Sequence, residues 1–314
     1  MRREAAALAL ALLSACAPAS RAAAPGAGLA ALEAELRTMI RAAAADSARV
    51  SVAFCDLATG DSLLLDAHLR MHAASTMKVP VMLELFRRAD RGELSLDDSV
   101  AVRNAFASIA DGSAYSLTPA EDSDSALYLR VGGRATVREL VDRMITRSSN
   151  LATNLVIDLA EPRRIAATLR ELGAADMHVL RGVEDIPAYR AGMNNTTTAY
   201  GFMKVLEAVA SGRGASPAAT REMVAILQRQ AFREMIPAGL PPGTPVANKT
   251  GWITGIDHDG AIVYPPGRAP YVLVVLTRGF TDRAAARRLA ADLSRAVYRH
   301  ATAARRGNIS PPRW

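Results

Sequence analysis

Apolar residues recur at intervals of three and four through the middle of the chain, and they form short runs near both ends. The helical spacing predicts helices over residues 29–45, 75–90, 136–144, 151–159, 162–172, 198–209, 217–229 and 282–301. The short runs predict strands over residues 49–55, 62–65, 245–252, 260–264 and 271–277. This order is typical of an α+β fold: an antiparallel sheet built from both termini, flanked by helices, with an all-helical subdomain inserted.

Two segments, residues 103–133 and 181–195, follow neither period and are predicted to be loops. The first is rich in Gly, Ser and Asp and poor in aliphatic residues. A loop of that length inside a compact domain is usually either functional or disordered.

The apolar helix predicted over residues 75–90 opens with a serine and a lysine three residues apart. Ser75 falls at the helix N-terminus, where free N–H groups and the helix dipole favour developing negative charge. Lys78 lies on the same face and can reach the Ser75 hydroxyl. A partly desolvated lysine can act as the base that a serine nucleophile needs. Pro80 is tolerated in the first turn, and the pair by itself could still be accidental.

The first residues have the form of an export signal. Arg2 and Arg3 precede the apolar run 5–13, which is too short to span a bilayer. The run ends in Leu-Ser-Ala-Cys at residues 13–16, which resembles the lipobox of bacterial lipoproteins. This resemblance implies a signal peptide over residues 1–15, a lipid anchor at Cys16 and a tether over residues 16–28. An ordinary signal peptide is the alternative; either places the protein in the cell envelope, facing the periplasm.

Charge and residue types exclude several partners. The net charge is +7, but the 35 Arg and 3 Lys are scattered and are not interleaved with aromatic residues, so we expect no nucleic-acid binding. The five His show no metal-ligand spacing and no Gly-rich phosphate loop is present, so we expect neither metal nor cofactor. His258 is expected to be a loop residue. With Cys16 lipidated, Cys55 is the remaining thiol, and we expect it to be a small residue of the core. We expect the protein to be a monomer.

Two further motifs follow the Ser75–Lys78 pair in order: Ser-Ser-Asn at residues 148–150 and Lys-Thr-Gly at residues 249–251. S-x-x-K, S-D-N and K-T-G together form the signature of class A β-lactamases and penicillin-binding proteins. The chain therefore resembles class A β-lactamases and related serine hydrolases over residues 29–301. Further matches are Asn154, the threonines at 196–198 and Pro-Pro-Gly-Arg at 265–268. The implied domain spans residues 29–303, followed by a short tail over residues 304–314.

Acyl transfer needs a nucleophile, a base, a proton path to the leaving group and donors for the oxyanion. The resemblance implies that Ser75 attacks, that Lys78 takes or relays its proton, and that Ser148 protonates the leaving nitrogen with support from Lys249. The backbone N–H groups of Ser75 and Trp252 would form the oxyanion hole. The implied substrate-binding residues are Asn150, Lys249, Thr250, Gly251 and Trp252. As alternatives, Ser148 and Asn150 could be helix caps and Asn154 structural.

The sequence departs from the family pattern at two places. Ser149 replaces the usual, mainly structural Asp of S-D-N. More important, the segment after residue 180 lacks the family's Glu followed by Leu-Asn, which holds the water that hydrolyses the acyl-enzyme. Glu184 is the best candidate for this base and Asp185 the next, and a surface ion pair of Glu184 with Arg181 or Arg190 is the alternative.

Three functions fit these observations. The first is a serine hydrolase that opens the β-lactam amide, with deacylation slowed by the altered loop. The second is a peptidoglycan D-Ala peptidase or esterase that β-lactams inhibit. The third is a non-catalytic envelope lipoprotein that binds a ligand, although such a protein has no reason to keep both Lys78 and Lys249.

Overall fold

The computed structural model describes residues 25–44 and 47–303, with side chains from residue 28 onward. The predicted signal peptide, Cys16 and the 304–314 tail lie outside the described residues, as does most of the tether. Among the described helices, none combines the length and apolar character needed to cross a membrane.

The helices of the described chain are α1 Pro25–Ala43, α2 Lys78–Asp90, α3 Val137–Thr146, α4 Asn150–Ala160, α5 Pro162–Glu171, α6 Ile186–Arg190, α7 Ala199–Ala210, α8 Pro217–Gln228 and α9 Arg283–Ala303. The strands are β1 Arg49–Asp56, β2 Ser62–Leu65, β3 Met71–His72, β4 Ser99–Ala101, β5 Phe106–Ala107, β6 Ala114–Tyr115, β7 Arg134–Thr136, β8 Thr196–Thr197, β9 Val246–Ile253, β10 Ile256–Val263 and β11 Tyr271–Arg278. Short 3₁₀ turns occupy Ala74–Met77, Pro119–Glu121, Ser125–Arg130 and Ile236–Gly239.

The main sheet has five antiparallel strands in the order β2-β1-β11-β10-β9. Strand β1 pairs with β11 from Arg49 opposite Arg278 to Asp56 opposite Tyr271. The first long strand of the chain therefore lies beside the last, and helices α2 to α8 fall between them in sequence. The predicted α+β fold, with a sheet built from both termini, is confirmed.

Each face of the sheet packs against its own core. Alternate residues of β1, Val50, Val52 and Phe54, pack with α1 and α9 on one face. Ala53 and Cys55 point to the other face, where they join a core shared with α2 and α7. Cys55 is buried there, as predicted, and burial raises the pKa of its thiol. The second core covers α2 on nearly every side, which fixes the position of its N-terminus.

Strand β10 begins four residues earlier than predicted and takes in His258, so the expectation that His258 is a loop residue is wrong. His258 is fully buried, and its two ring nitrogens lie 3.0 Å from the carbonyl oxygen of His72 and 3.2 Å from the backbone N–H of Thr277. Burial lowers the pKa of His258 to about 4. The neighbouring carboxylates hid the strand in the sequence. In the fold, Asp257 pairs with Arg283 and Asp259 accepts from the backbone N–H of Ile236.

The segment over residues 103–133 is more ordered than predicted. It holds the small hairpin of β5 and β6 and two 3₁₀ turns, and β4 and β7 pair across its flanks. Strands of two or three residues leave no readable period in a sequence. In the second predicted loop, residues 186–190 form the short helix α6.

Candidate active site

The nucleophile candidate lies on a tight turn rather than on the α-helix itself. Ser75 belongs to the 3₁₀ turn Ala74–Met77, which continues directly into α2, and Pro80 falls in the first turn of α2, as predicted. Ala74 has a left-handed backbone (φ +46°), which is uncommon for a residue with a side chain. Its N–H donates to Nδ1 of His72 at 3.0 Å, and this contact helps to hold the strained turn that presents Ser75.

Lys78 is completely buried and is held by the turn that precedes α4. Its Nζ donates to the carbonyl oxygen of Ser148 at 2.7 Å and to Oδ1 of Asn150 at 2.9 Å, with longer contacts to Ser148 Oγ (3.4 Å) and the Ser149 carbonyl oxygen (3.5 Å). Within the described residues none of its hydrogen bonds goes to Ser75. The start of α4 therefore orients the amine of Lys78, whereas the backbone of Lys78 begins α2, directly after the turn that carries Ser75.

Burial decides the protonation of Lys78. Desolvation lowers the pKa of its amine to about 7, against the opposing effect of the nearby Asp122 and Glu184 carboxylates. A buried lysine loses hydration that its charged form needs, so the neutral amine becomes populated near neutral pH. That is the state in which an amine can accept a proton from a serine.

Ser148 and Lys249 complete the cluster. Ser148 has a positive φ of +57°, and its Oγ accepts a hydrogen bond from Lys249 Nζ at 3.1 Å. Lys249 is also fully buried, and desolvation together with the charge of Lys78 lowers the pKa of its amine. One hydroxyl thus lies between two buried amines, which is the geometry of a proton relay.

Strand β9 passes directly beside the nucleophile turn. A Cβ on Gly251 would lie 2.8 Å from the backbone nitrogen of Ser75 and 3.0 Å from that of Thr76, so only glycine allows this approach. Thr250 is buried, and its hydroxyl has no hydrogen-bond partner among the described residues. Trp252 is half-buried, and its ring packs edge-on against Phe232 with centroids 4.6 Å apart.

Asp122, in the irregular segment before α3, is a site residue that no sequence pattern indicates. Its carboxylate accepts hydrogen bonds from the N–H groups of Asn150 (2.9 and 3.0 Å) and Leu151 (2.8 Å), the first residues of α4. The hydroxyl of Tyr128 also donates to it at 3.0 Å. No local spacing could have revealed this contact, because Asp122 lies 28 positions before Asn150.

The loop after residue 180 carries the two candidate bases in different environments. Asp185 is buried and accepts hydrogen bonds from Ser108 Oγ (2.6 Å) and the N–H groups of Ile109 (3.0 Å) and Ala188 (3.1 Å). Its carboxylate is thus committed to anchoring the loop. Glu184 is exposed, with a positive φ of +61°, and its charge raises the pKa of Lys78.

Asn154 fixes the backbone next to Glu184. Its Nδ2 donates to the carbonyl oxygen of Val183 at 2.9 Å, and the N–H of Val183 donates back to Oδ1 at 2.7 Å. Gly182 is required here, since a Cβ would lie 2.5 Å from Asn154 Oδ1. In the described part of the chain no ion pair joins Glu184 to Arg181 or Arg190, while Arg181 donates to the Met193 carbonyl oxygen at 2.8 Å.

The profile of the β-lactamase enzyme family matches residues 31–301. The chain belongs to the β-lactamase enzyme family. The β-lactamase of Streptomyces fradiae is 30% identical over 277 residues, which are 84% of this chain and 83% of that one. An ancestral class A β-lactamase, that of the last common ancestor of Gram-negative bacteria, is 27% identical with a TM-score of 0.72 and covers 85% of this chain and 98% of its own. The protein is a class A serine β-lactamase-like hydrolase.

The fold is also shared with PBP-A. That structure is 22% identical with a TM-score of 0.72 over 86% of this chain and 95% of its own. At this identity the likeness concerns the fold alone.

We predict that Gly251→Ala slows acylation by a β-lactam roughly 100-fold, because the added methyl moves β9 and its N–H donor away from Ser75. The measurement is stopped-flow acylation together with thermal unfolding. The control is Gly243→Ala, where φ is +80° and the space is open, so that only stability should fall. An acylation rate in Gly251→Ala equal to that of the wild-type protein would show that the close approach of β9 is unimportant.

Proposed function

We propose that this β-lactamase-family hydrolase opens the β-lactam amide through an acyl-enzyme on Ser75 and hydrolyses that acyl-enzyme slowly. The observation that carries the proposal is the buried cluster of Lys78, Ser148 and Lys249 beside the nucleophile turn. Burying two lysine amines beside a serine costs desolvation free energy. Such burial is typical of active sites, where a lowered pKa is needed for proton transfer.

In acylation, neutral Lys78 takes the proton of Ser75 while Oγ bonds to the lactam carbonyl carbon. The C–N bond then breaks, and the nitrogen receives a proton from Ser148 Oγ, which is restored from the Lys78 ammonium 3.4 Å away. Lys249 holds the Ser148 hydroxyl in place throughout. The backbone N–H groups of Ser75 and Trp252 stabilise the oxyanion of the tetrahedral intermediate.

The substrate is bound along β9 and at the start of α4. Lys249 and the hydroxyl of Thr250, which has no hydrogen-bond partner in the described part of the chain, suit the substrate's carboxylate. The amide of Asn150 is half-buried and already bound to Lys78, and it suits the acylamide side chain of the substrate. Gly251 lets the substrate lie against the strand.

Deacylation needs a base within hydrogen-bond reach of a water beside the Ser75 ester. Glu184 is assigned this role, since Asp185 is fully used in anchoring the loop. The water oxygen bonds to the ester carbon as one of its protons goes to Glu184. The bond from that carbon to Ser75 Oγ then breaks, and Ser75 Oγ takes up the proton that Glu184 received. The exposure of Glu184 and the absence of an anchoring ion pair among the described residues leave this base loosely held, so deacylation limits turnover.

The loosely held Glu184 also favours a second candidate function. An enzyme that acylates well and deacylates slowly behaves toward β-lactams as an inhibited peptidoglycan D-Ala peptidase or esterase. Turnover of a D-Ala-D-Ala peptide faster than that of penicillin would select this function over the first.

We predict that Ser75→Ala abolishes covalent labelling by penicillin while the protein stays folded, since Ser75 is only partly buried on its turn. Intact-protein mass and circular dichroism provide the measurement. Ser216→Ala is the matched control, because Ser216 also lies at a helix start, where its Oγ caps α8 by accepting from Ala219. Labelled mass in Ser75→Ala would mean that another residue is the nucleophile.

We predict that Glu184→Gln prolongs the acyl-enzyme, because an amide cannot accept the water's proton. A general base contributes ~10²–10⁴ in rate, and a loosely held one should give a loss near the lower limit. Decay of the acyl-enzyme mass after excess substrate is removed is the measurement, with the exposed Glu171→Gln as control. Unchanged decay in Glu184→Gln would assign the base elsewhere.

For localisation, we propose that the protein is exported to the bacterial envelope and anchored by lipid at Cys16, facing the periplasm. The Leu-Ser-Ala-Cys sequence at residues 13–16 supports this, and stable anchoring requires two or more acyl chains.

We predict that Cys16→Ser shifts the protein from the membrane to the soluble fraction or blocks its processing. The measurement is an immunoblot of the membrane and soluble fractions, with Cys55→Ser as the control variant. An unchanged distribution and an unchanged mature mass for Cys16→Ser would refute the anchor.

A further inference from the structure

We propose that Asp122 is a positioning residue for Lys78: its carboxylate fixes the start of α4, which holds the buried amine, and supplies a negative charge that partly offsets the amine's loss of hydration. This proposal rests on the proposed function only in taking Lys78 as the base. The contacts themselves are properties of the fold.

The first backbone N–H groups of α4 need hydrogen-bond acceptors from outside the helix. The first N–H groups of an α-helix have no acceptor within the helix. Within the described residues, Ser149 Oγ accepts from the N–H of Ala152 alone, at 3.2 Å. The N–H groups of Asn150 and Leu151 are satisfied instead by Asp122, whose charge is also favoured at a helix N-terminus.

This turn is also what holds Lys78. The acceptors of its Nζ, the carbonyl oxygen of Ser148 and Oδ1 of Asn150, lie at the end of α4 that Asp122 caps. A shift of Asn150 would therefore move the amine. Asp122 is itself held by the Tyr128 hydroxyl and by the N–H of Asp124, each at 3.0 Å.

The charges around Lys78 come from three elements. Asp122 faces it from the segment before α3, Glu184 faces it from the loop before α6, and Lys249 faces it from β9. The two carboxylates favour the ammonium form of Lys78, and the charge of Lys78 in turn lowers the pKa of Lys249. Of the two carboxylates, Asp122 has the larger effect and is the one fixed by hydrogen bonds. Removing it must therefore lower the pKa of Lys78 further.

Asp124 provides a matched control two residues away. Its carboxylate is buried, whereas Asp122 is half-buried, and it pairs with Arg143 of α3, with N–O distances of 3.0 and 3.2 Å. Losing it should cost stability without changing the charge that faces Lys78.

The experiment uses the titration of lysine side chains, which is tractable because the chain has only Lys78, Lys204 and Lys249. In protein labelled with ¹³C at lysine Cε, we expect Asp122→Asn to move the Lys78 midpoint down by roughly one pH unit from its wild-type value near 7. Asp124→Asn should leave the midpoint unchanged. Tyr128→Phe removes a hydrogen bond but no charge, so it should keep the midpoint and slow acylation a few-fold.

The outcomes separate the two proposals. An unmoved Lys78 midpoint in Asp122→Asn, or equal shifts in Asp122→Asn and Asp124→Asn, would overturn the role of Asp122. If the asparagine variant does not fold, Asp122→Ser keeps an oxygen acceptor without the charge and gives the same comparison. If the wild-type protein is never acylated by penicillin, the proposed function fails, while the titration still decides the role of Asp122.

Discussion

The structure depends on keeping two lysine amines buried beside one serine hydroxyl. Within the described residues neither Lys78 nor Lys249 forms an ion pair, so their desolvation is offset by neutral acceptors and by charges beyond contact distance. Burying an ammonium group costs several kcal/mol unless it loses its proton. The fold therefore lowers the pKa of both amines, and a pKa of about 7 suits Lys78 to act as a base near neutral pH.

That requirement explains the surrounding architecture. Lys78 is anchored on α2, which is enclosed by the second core, while its acceptors come from the start of α4. Lys249 arrives on β9, at the edge of a sheet whose central strands come from the two ends of the described chain. Small movements between these three elements would separate the amines from Ser148. The capping of α4 and the close approach permitted by Gly251 both oppose such movements.

Much of the fold was predictable because its long elements have clear periods. The sheet from both termini followed from apolar runs such as the one in β11. Thr136 and Thr198 cap the helices that follow them. The start of β10 was missed because its polar side chains find partners that are distant in sequence, as Asp257 does with Arg283. Local patterns cannot reveal such partners.

The candidate site was predictable in part. The motifs identified Ser75, Lys78, Ser148 and Lys249, and the fold brings the last three into hydrogen-bonding distance. The anchoring of Asp185 depends on Ser108, in a segment without readable structure, so the sequence could not distinguish it from Glu184 as a base.

The most direct test of this account is the pre-steady-state rate of acylation of the wild-type protein by penicillin, measured from about pH 5 to 9. If neutral Lys78 is the base, the rate rises with pH as one proton is lost, with a midpoint near 7, and then levels off. A rate that is constant across this range, or that rises only as pH approaches the ordinary lysine pKa of about 10.4, would contradict the account.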